Sequence, residues 1–143
     1  KIPFAKIAII LAAIGVIFGG IAVLSLLAAG EPNERPTARI APIQDKPIRL
    51  QDTITLSAAP SSDPEEKKLS YTWTIVEPED ASVIFSVPGS NQLSERSLFS
   101  TRSPKVEVQF LSTGDITFEL SVYDGTLYSE PVRTTVKVLP MEQ

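Results

Sequence analysis

The sequence predicts an all-β, Ig-like antiparallel sandwich carried by one N-terminal transmembrane α-helix. An uncharged apolar run near the N-terminus predicts the helix. Beyond residue 36 the apolar residues alternate with polar ones, and turn-forming residues separate the alternating segments, which is typical of short strands. We therefore divide the chain into a cytoplasmic stub with the transmembrane helix (1–30), a polar linker (31–36) and an extracytoplasmic β-sandwich (37–140).

The composition argues against catalysis. The 143 residues include no cysteine and no histidine, which excludes disulfides, thiolate metal sites and the commonest general base. We expect no enzyme activity, no catalytic residue and no cofactor. All 17 acidic residues lie from Glu31 onward and the net charge is −4. An acidic domain repels the phosphates of nucleic acid, so we expect no nucleic-acid partner.

The first element is the apolar run from Ile7 to Ala29, which is 23 residues long and carries no charge. At about 1.5 Å per residue, such a helix spans the roughly 30 Å hydrocarbon core of a bilayer. A cleaved secretory signal is the alternative, but its apolar region is usually shorter, at about 7–15 residues. Lys1 and Lys6 precede the run, whereas Glu31 and Glu34 follow it. The positive-inside rule therefore predicts a cytoplasmic N-terminus and a C-terminal domain that is periplasmic or on the cell surface.

Small residues recur along one face of the predicted helix at steps of three and four, with Gly15-x-x-x-Gly19 at the centre. In lipid, small residues allow two helices to approach closely, which favours association. We expect this face to pack against a membrane-embedded protein partner or a second copy of the chain; the alternative is a solitary anchor in the bilayer. The packing residues are Ala5, Ala8, Ala12, Gly15, Gly19, Ala22 and Ala29.

The elements of the sandwich follow from alternation of apolar and polar residues. Two short pieces split by Pro42 and Pro47 form the predicted first strand. The predicted strands cover residues 37–40, 48–50, 53–58, 69–76, 106–110, 116–122 and 132–139. Their inward faces predict a core of Ile54, Leu56, Tyr71, Trp73, Ile75, Ile116, Phe118, Leu120 and Val122.

The connections carry turn signals. Residues 59–68 form a charged loop rich in proline and serine, and Asp124-Gly125 predicts a tight hairpin turn. Residues 77–104 contain several prolines and little alternation. We interpret them as one long connection, with a short strand at 81–87.

Four ordered motifs resemble the polycystic kidney disease (PKD) domain family over about residues 36–139. They are Pro36-Thr37-Ala38, Ser61-Ser62-Asp63-Pro64, Tyr71-Thr72-Trp73 and the stretch from Thr113 to Gly125. The resemblance implies an Ig-like seven-stranded sandwich whose core is filled by Trp73. The chain departs from the family after this tryptophan, where Thr74-Ile75-Val76-Glu77-Pro78 replaces the usual acidic, glycine-rich turn. It therefore resembles a divergent, PKD-like branch.

Carboxylates are the remaining candidates for chemistry. Calcium prefers six to eight oxygen ligands. The candidate ligands are Asp63, Glu65, Glu66 and Asp124, with Asp52 as an addition. Because Asp63 precedes a proline and Asp124 precedes a glycine, we interpret both as turn residues and expect no metal site. Glu77, Glu79 and Asp80 would suit a glycosidase only across a cleft, which a single loop does not provide.

Three classes of function remain. We expect a non-catalytic accessory or scaffolding subunit of a larger membrane complex, which contacts partners through its small-residue helix face and its β-sandwich. The second class is a cell-surface adhesion or glycan-binding module, for which Tyr128, Phe85 and Phe99 are the aromatic candidates. The third is a pilin-like filament subunit, although the N-terminus lacks an early glutamate and Lys6 is unfavourable in a filament core.

Overall fold

The computed structural model describes residues 30–143. The predicted membrane span and its small-residue face, from Ala5 to Ala29, lie outside the described residues. Within residues 30–143, no helix is long and apolar enough to cross a membrane. Residues Glu34–Gln143 form one compact unit.

This unit is built from strands alone. The strands of the described region are β1 (Ile48–Arg49), β2 (Thr53–Ser57), β3 (Ser70–Glu77), β4 (Val83–Ser86), β5 (Leu93–Ser94), β6 (Leu98–Thr101), β7 (Lys105–Phe110), β8 (Gly114–Tyr123) and β9 (Val132–Leu139). They form a five-stranded sheet in the order β1-β9-β8-β3-β6 and a four-stranded sheet in the order β2-β7-β4-β5. The all-β class predicted from alternation is confirmed.

The five-stranded sheet is mixed, so the expectation of a purely antiparallel fold is wrong at one edge. Strand β1 pairs with β9 in parallel, with Ile48 opposite Val138. The predicted first strand divides between the two sheets. Its first part lies along β2, where the amide of Ala41 donates to the carbonyl of Ser57 (2.8 Å). The chain then crosses to the other sheet, where β1 pairs with β9. Pro42 and Pro47 flank the crossing, and they lack the N–H that a continuous strand would use.

One residue of the predicted first piece, Thr37, forms an isolated bridge to Ser62 instead of a strand. The two residues exchange backbone hydrogen bonds of 2.8 and 3.0 Å. The neighbouring Ala38 is buried in the core. The entry segment, which we define as residues 34–39, is therefore held against the β-sheet unit from its first residues.

The two sheets share one hydrophobic core. Eight of the nine predicted core residues are at most 8% exposed, and Ile54 on edge strand β2 is partly buried. Phe118 of β8 contacts Phe85 of β4 and Phe110 of β7 edge to face, with centroid distances of 6.1 and 6.3 Å. Because Phe118 lies in one sheet and the other two rings in the second, these contacts join the two layers.

The segment predicted as a long connection, 77–104, contains three strands. Strand β4 lies inside the predicted 81–87 piece, whereas β5 and β6 were not predicted. Strands β5 and β6 form the outer edges of the four-stranded and five-stranded sheets, respectively.

Candidate functional site

Two turns meet at one end of the five-stranded sheet. Strand β3 runs antiparallel to β8, with its first residue Ser70 opposite Tyr123, the last residue of β8. The loop that precedes β3 and the turn that follows β8 therefore lie side by side. Each turn contains an aspartate that was predicted from the sequence to be a turn residue and was weighed as a calcium ligand.

The first turn is organised by Asp63. Its Oδ1 accepts hydrogen bonds from the backbone amides of Glu65 (3.1 Å) and Lys67 (3.0 Å). Between them, Glu66 has a φ of 57°, in the left-handed region. An aspartate that accepts amides two and four residues ahead stabilises a turn of this kind.

The second turn is organised by Asp124 in the same way. Its Oδ1 accepts hydrogen bonds from the amides of Thr126 and Leu127, each at 2.6 Å. Gly125 has a φ of 97°, a conformation that residues with a Cβ rarely adopt. The predicted turn at Asp124-Gly125 is thus present, and the side chain of Asp124 is fully buried within it.

A third carboxylate, Glu65, connects this end of the sheet to the entry segment. Its Oε1 accepts a hydrogen bond of 2.9 Å from the backbone amide of Glu34. Beside it, Arg35 forms an ion pair with Glu130 at 3.0 Å, although both side chains are largely exposed. The entry segment is therefore bonded to one residue of the first turn, Glu65, and to one residue that follows the second turn, Glu130.

The ligand atoms of Asp63, Glu65 and Asp124 lie within 4.8 Å of one another, and we call these three residues the acidic cluster. Asp63 Oδ2 and Glu65 Oε2 are buried and accept no hydrogen bond from any of the described residues. Lys67 Nζ lies 3.9 Å from Asp124 Oδ2, which offsets part of the negative charge. Carboxylate oxygens in this arrangement suit a hard cation such as Ca²⁺.

Sequence reasoning named the members of the acidic cluster but not their convergence. The pairing of β3 with β8 brings these residues together. Their convergence can be predicted only when the register of the two strands is known. Of the two other calcium candidates, Glu66 is exposed beside the cluster. Asp52 is engaged elsewhere, where its Oδ2 accepts the amide of Arg49 at 2.8 Å.

The aromatic candidates for glycan stacking differ in their exposure to solvent. Phe85 is fully buried, so its assignment as an exposed aromatic is wrong, and it stacks on Phe99 with centroids 5.5 Å apart. Tyr128 is 58% exposed and stacks on Tyr123 with centroids 4.5 Å apart. Trp73 is fully buried, so its ring is not available to stack on a glycan.

The paired carboxylates considered for hydrolysis, Glu77, Glu79 and Asp80, are exposed at the end of β3 and in the loop after it. A groove of about 350 Å³ lies elsewhere, between β2 and the segment that leads into β1. Its lining includes Ile43, Ile48 and Ile54, but none of these three carboxylates.

No family model matches the sequence, and no curated protein matches it. Among solved structures, the chain is similar to a nucleoside hydrolase-related protein of Saccharophagus degradans that is associated with carbohydrate metabolism (23% identity, TM-score 0.47, covering 84% of this chain). The chain spans only 29% of the length of that protein.

Two further structures are similar over a comparable part of the chain. One is a conjugative transposon lipoprotein of Bacteroides eggerthii (13% identity, TM-score 0.40, 70% of this chain and 94% of the other). The other comprises domains 4 and 5 of the S-layer protein SbsC (19% identity, TM-score 0.33, 72% and 54%). All three TM-scores lie below 0.5, which is too low to assign a fold family or a function.

Proposed function

We propose that this chain is a non-catalytic accessory subunit of a membrane protein complex, anchored by residues 7–29 with its β-sheet unit on the extracytoplasmic side. The observation that carries the proposal is the uncharged 23-residue run with its small-residue face, placed directly before a compact β-sheet unit. Close backbone approach along such a face drives association of helices in lipid. The partner is a membrane-embedded protein or a second copy of this chain.

The β-sheet unit supports a binding role more than a catalytic one. Glu77, Glu79 and Asp80, the carboxylates considered for hydrolysis, are exposed in one short stretch instead of facing each other across a cleft. The chain has no histidine or cysteine to serve as a general base or nucleophile. A glycan-binding role retains one exposed aromatic candidate, Tyr128.

We also propose that this unit is a divergent PKD-like member of the Ig-like sandwiches. Strands β3, β8 and β9 are neighbours in one sheet, and β2, β7 and β4 in the other. This partition corresponds to the CFG and BED strands of an Ig sandwich, with Trp73 on the third strand of the series. A crystal structure in which β2 and β3 share a sheet would contradict the assignment.

The experiment that tests the accessory role compares matched helix variants purified in a mild detergent. Gly15→Leu with Gly19→Leu places two large side chains on the small-residue face, whereas Ala13→Leu with Gly20→Leu places them off it. We expect the first pair to abolish co-purification of partners, or self-association, because the helices no longer approach closely. The second pair is expected to leave both unchanged.

Mass spectrometry of the co-eluting proteins and light scattering of the chain provide the readouts. A chain that elutes as a monomer without partners in the unmodified form would contradict the accessory role. Equal assembly by both variant pairs would contradict the role of the small-residue face.

A further inference from the structure

We propose that the outer edge of β2 is a docking site for an extended segment of a partner protein. The segment adds as a further strand beside Thr53 and Thr55, and one of its aliphatic side chains fills the groove next to them. Strand β2 ends the four-stranded sheet on this side. Because the site lies on the β-sheet unit, it does not depend on the proposed packing of the helix.

The backbone groups of β2 alternate in direction. Strand β2 pairs antiparallel with β7, and in such a pair only every second residue exchanges hydrogen bonds with the partner strand. The carbonyl of Asp52 accepts the amide of Phe110 (3.1 Å), which fixes the even-numbered residues as those that bond to β7. Thr53, Thr55 and Ser57 therefore direct their N–H and C=O groups away from β7.

The entry of the chain covers only one half of this edge. The amide of Ala41 donates to the outward carbonyl of Ser57 at 2.8 Å. Pro42 then lacks an N–H, and the chain crosses to the other sheet. Within residues 30–143, no backbone hydrogen bond reaches the outward groups of Thr53 or Thr55. Unpaired N–H and C=O groups at a sheet edge are a template for a further strand.

The groove lies beside these unpaired positions. Its volume is about 350 Å³, and both Thr53 and Thr55 line it. Ile43, Ile48 and Ile54 also line it, and all three are partly buried. An aliphatic side chain placed among them would leave water, which favours binding. In recognition by strand addition, the backbone hydrogen bonds supply affinity and such a pocket supplies specificity.

The charge at the groove selects the partner. Lys46 lines the groove, is exposed and forms no ion pair with any of the described residues. The acidic residue of the lining, Asp52, instead accepts the amide of Arg49 at 2.8 Å. An acidic side chain two residues from the aliphatic one lies on the same side of a strand and would complement Lys46. The chain's own outer edges, β5 and β6, contain no acidic residue, which favours a different protein over a second copy.

The test is the binding of a synthetic peptide to the full chain in lipid nanodiscs, measured by fluorescence anisotropy. The probe is a labelled and capped hexapeptide, Thr-Val-Thr-Ile-Thr-Glu, whose aliphatic residues and glutamate share one face of a strand. We expect saturable binding and slower hydrogen exchange of the β2 amides. Absence of saturable binding to the unmodified chain would overturn the proposal.

A proline at position 55 isolates the backbone contribution. Thr55→Pro removes an N–H that points away from β7, and edge strands tolerate proline at such positions. The Tm of the variant checks that the unit remains folded. We expect about tenfold weaker binding of the probe, because a hydrogen bond is lost and the ring obstructs the added strand. Unchanged affinity would overturn the strand addition.

Two modified probes test the same hydrogen bonds without changing the protein. One is N-methylated at its odd-numbered residues and the other at its even-numbered residues. A strand presents only one of these two sets of amides to β2, so only one probe should lose binding. Equal affinity of both modified probes would contradict the added strand.

A charge exchange tests the role of Lys46. We expect Lys46→Glu to weaken binding of the probe roughly fivefold, and a probe with lysine in place of glutamate to restore it. The matched control is Lys68→Glu, at an exposed lysine of the loop before β3, which should have no effect. Equal loss in both variants would overturn the location of the site.

Light scattering distinguishes the remaining occupant. If the edge pairs with a second copy of the chain, the probe should convert an oligomer of the unmodified chain into monomers. That result would overturn the choice of a different partner protein. We expect the probe to leave the mass of the chain unchanged.

Discussion

Phe118 of β8 meets Phe85 of β4 edge to face, with ring centroids 6.1 Å apart, although the two residues belong to different sheets. Both rings are fully buried. Phe118 also contacts Phe110, so one side chain of the five-stranded sheet bridges to two strands of the other sheet. Aromatic pairs of this geometry add about 0.5–1.5 kcal/mol to the effect of burial.

Truncation of this ring should be among the most destabilising changes in the unit. We expect Phe118→Ala to lower the free energy of unfolding by about 3–5 kcal/mol, because it leaves a cavity between the sheets. Urea denaturation of the full chain measures the change. Leu98→Ala, at a leucine that is 51% exposed, should cost less than about 0.5 kcal/mol. Similar losses in both variants would contradict the placement of Phe118.

The indole of Trp73 offers a second test of the core. Its Nε1 is buried without a hydrogen-bond partner among the described residues, so the ring contributes volume and apolar contact while its donor is unsatisfied. Trp73→Ala should cost about 3–5 kcal/mol. Trp73→Phe should cost clearly less, since it keeps most of the ring and removes the unsatisfied donor. Equal losses in chemical denaturation would show that the indole nitrogen has a partner.

Tyr71 should make the unit sensitive to alkaline pH. Burial raises the pKa of its phenol above the ordinary value of about 10, so the folded state favours the neutral form. The associated stability is complete below about pH 10 and is lost as the pH rises through the higher folded-state pKa. We expect Tyr71→Phe to reduce the fall in Tm between pH 9 and 11. Tyr128→Phe, at a ring that is 58% exposed, serves as the control and should retain the fall.

Alternation predicted the central strands well, because each strand buries one face against the shared core. Strand β9 occupies the predicted residues 132–139, and β3 starts and ends one residue after the predicted 69–76. Strands β5 and β6 were missed because they are short and lie at sheet edges, where Leu93 and Leu98 face solvent. An edge position removes the buried face on which the alternating pattern depends.

The acidic cluster shows a different limit of sequence reasoning. Asp63 and Asp124 were identified individually, and the turn role expected for each accounts for its Oδ1. The second carboxylate oxygen of each residue, Oδ2, is brought near the other only by the strand register, which places Ser70 opposite Tyr123. Nothing local in either turn encodes that register. It follows from the burial of whole strand faces far from the cluster.

The reciprocal hydrogen bonds between Thr37 and Ser62 have a practical consequence for anyone who expresses this unit alone. A fragment that begins at residue 40 would leave both backbone groups of Ser62 without their protein partners and would uncover the site filled by Ala38, which is 6% exposed. It would also remove the amide that Glu65 accepts from Glu34. A cloning boundary before Glu34 keeps all of these contacts.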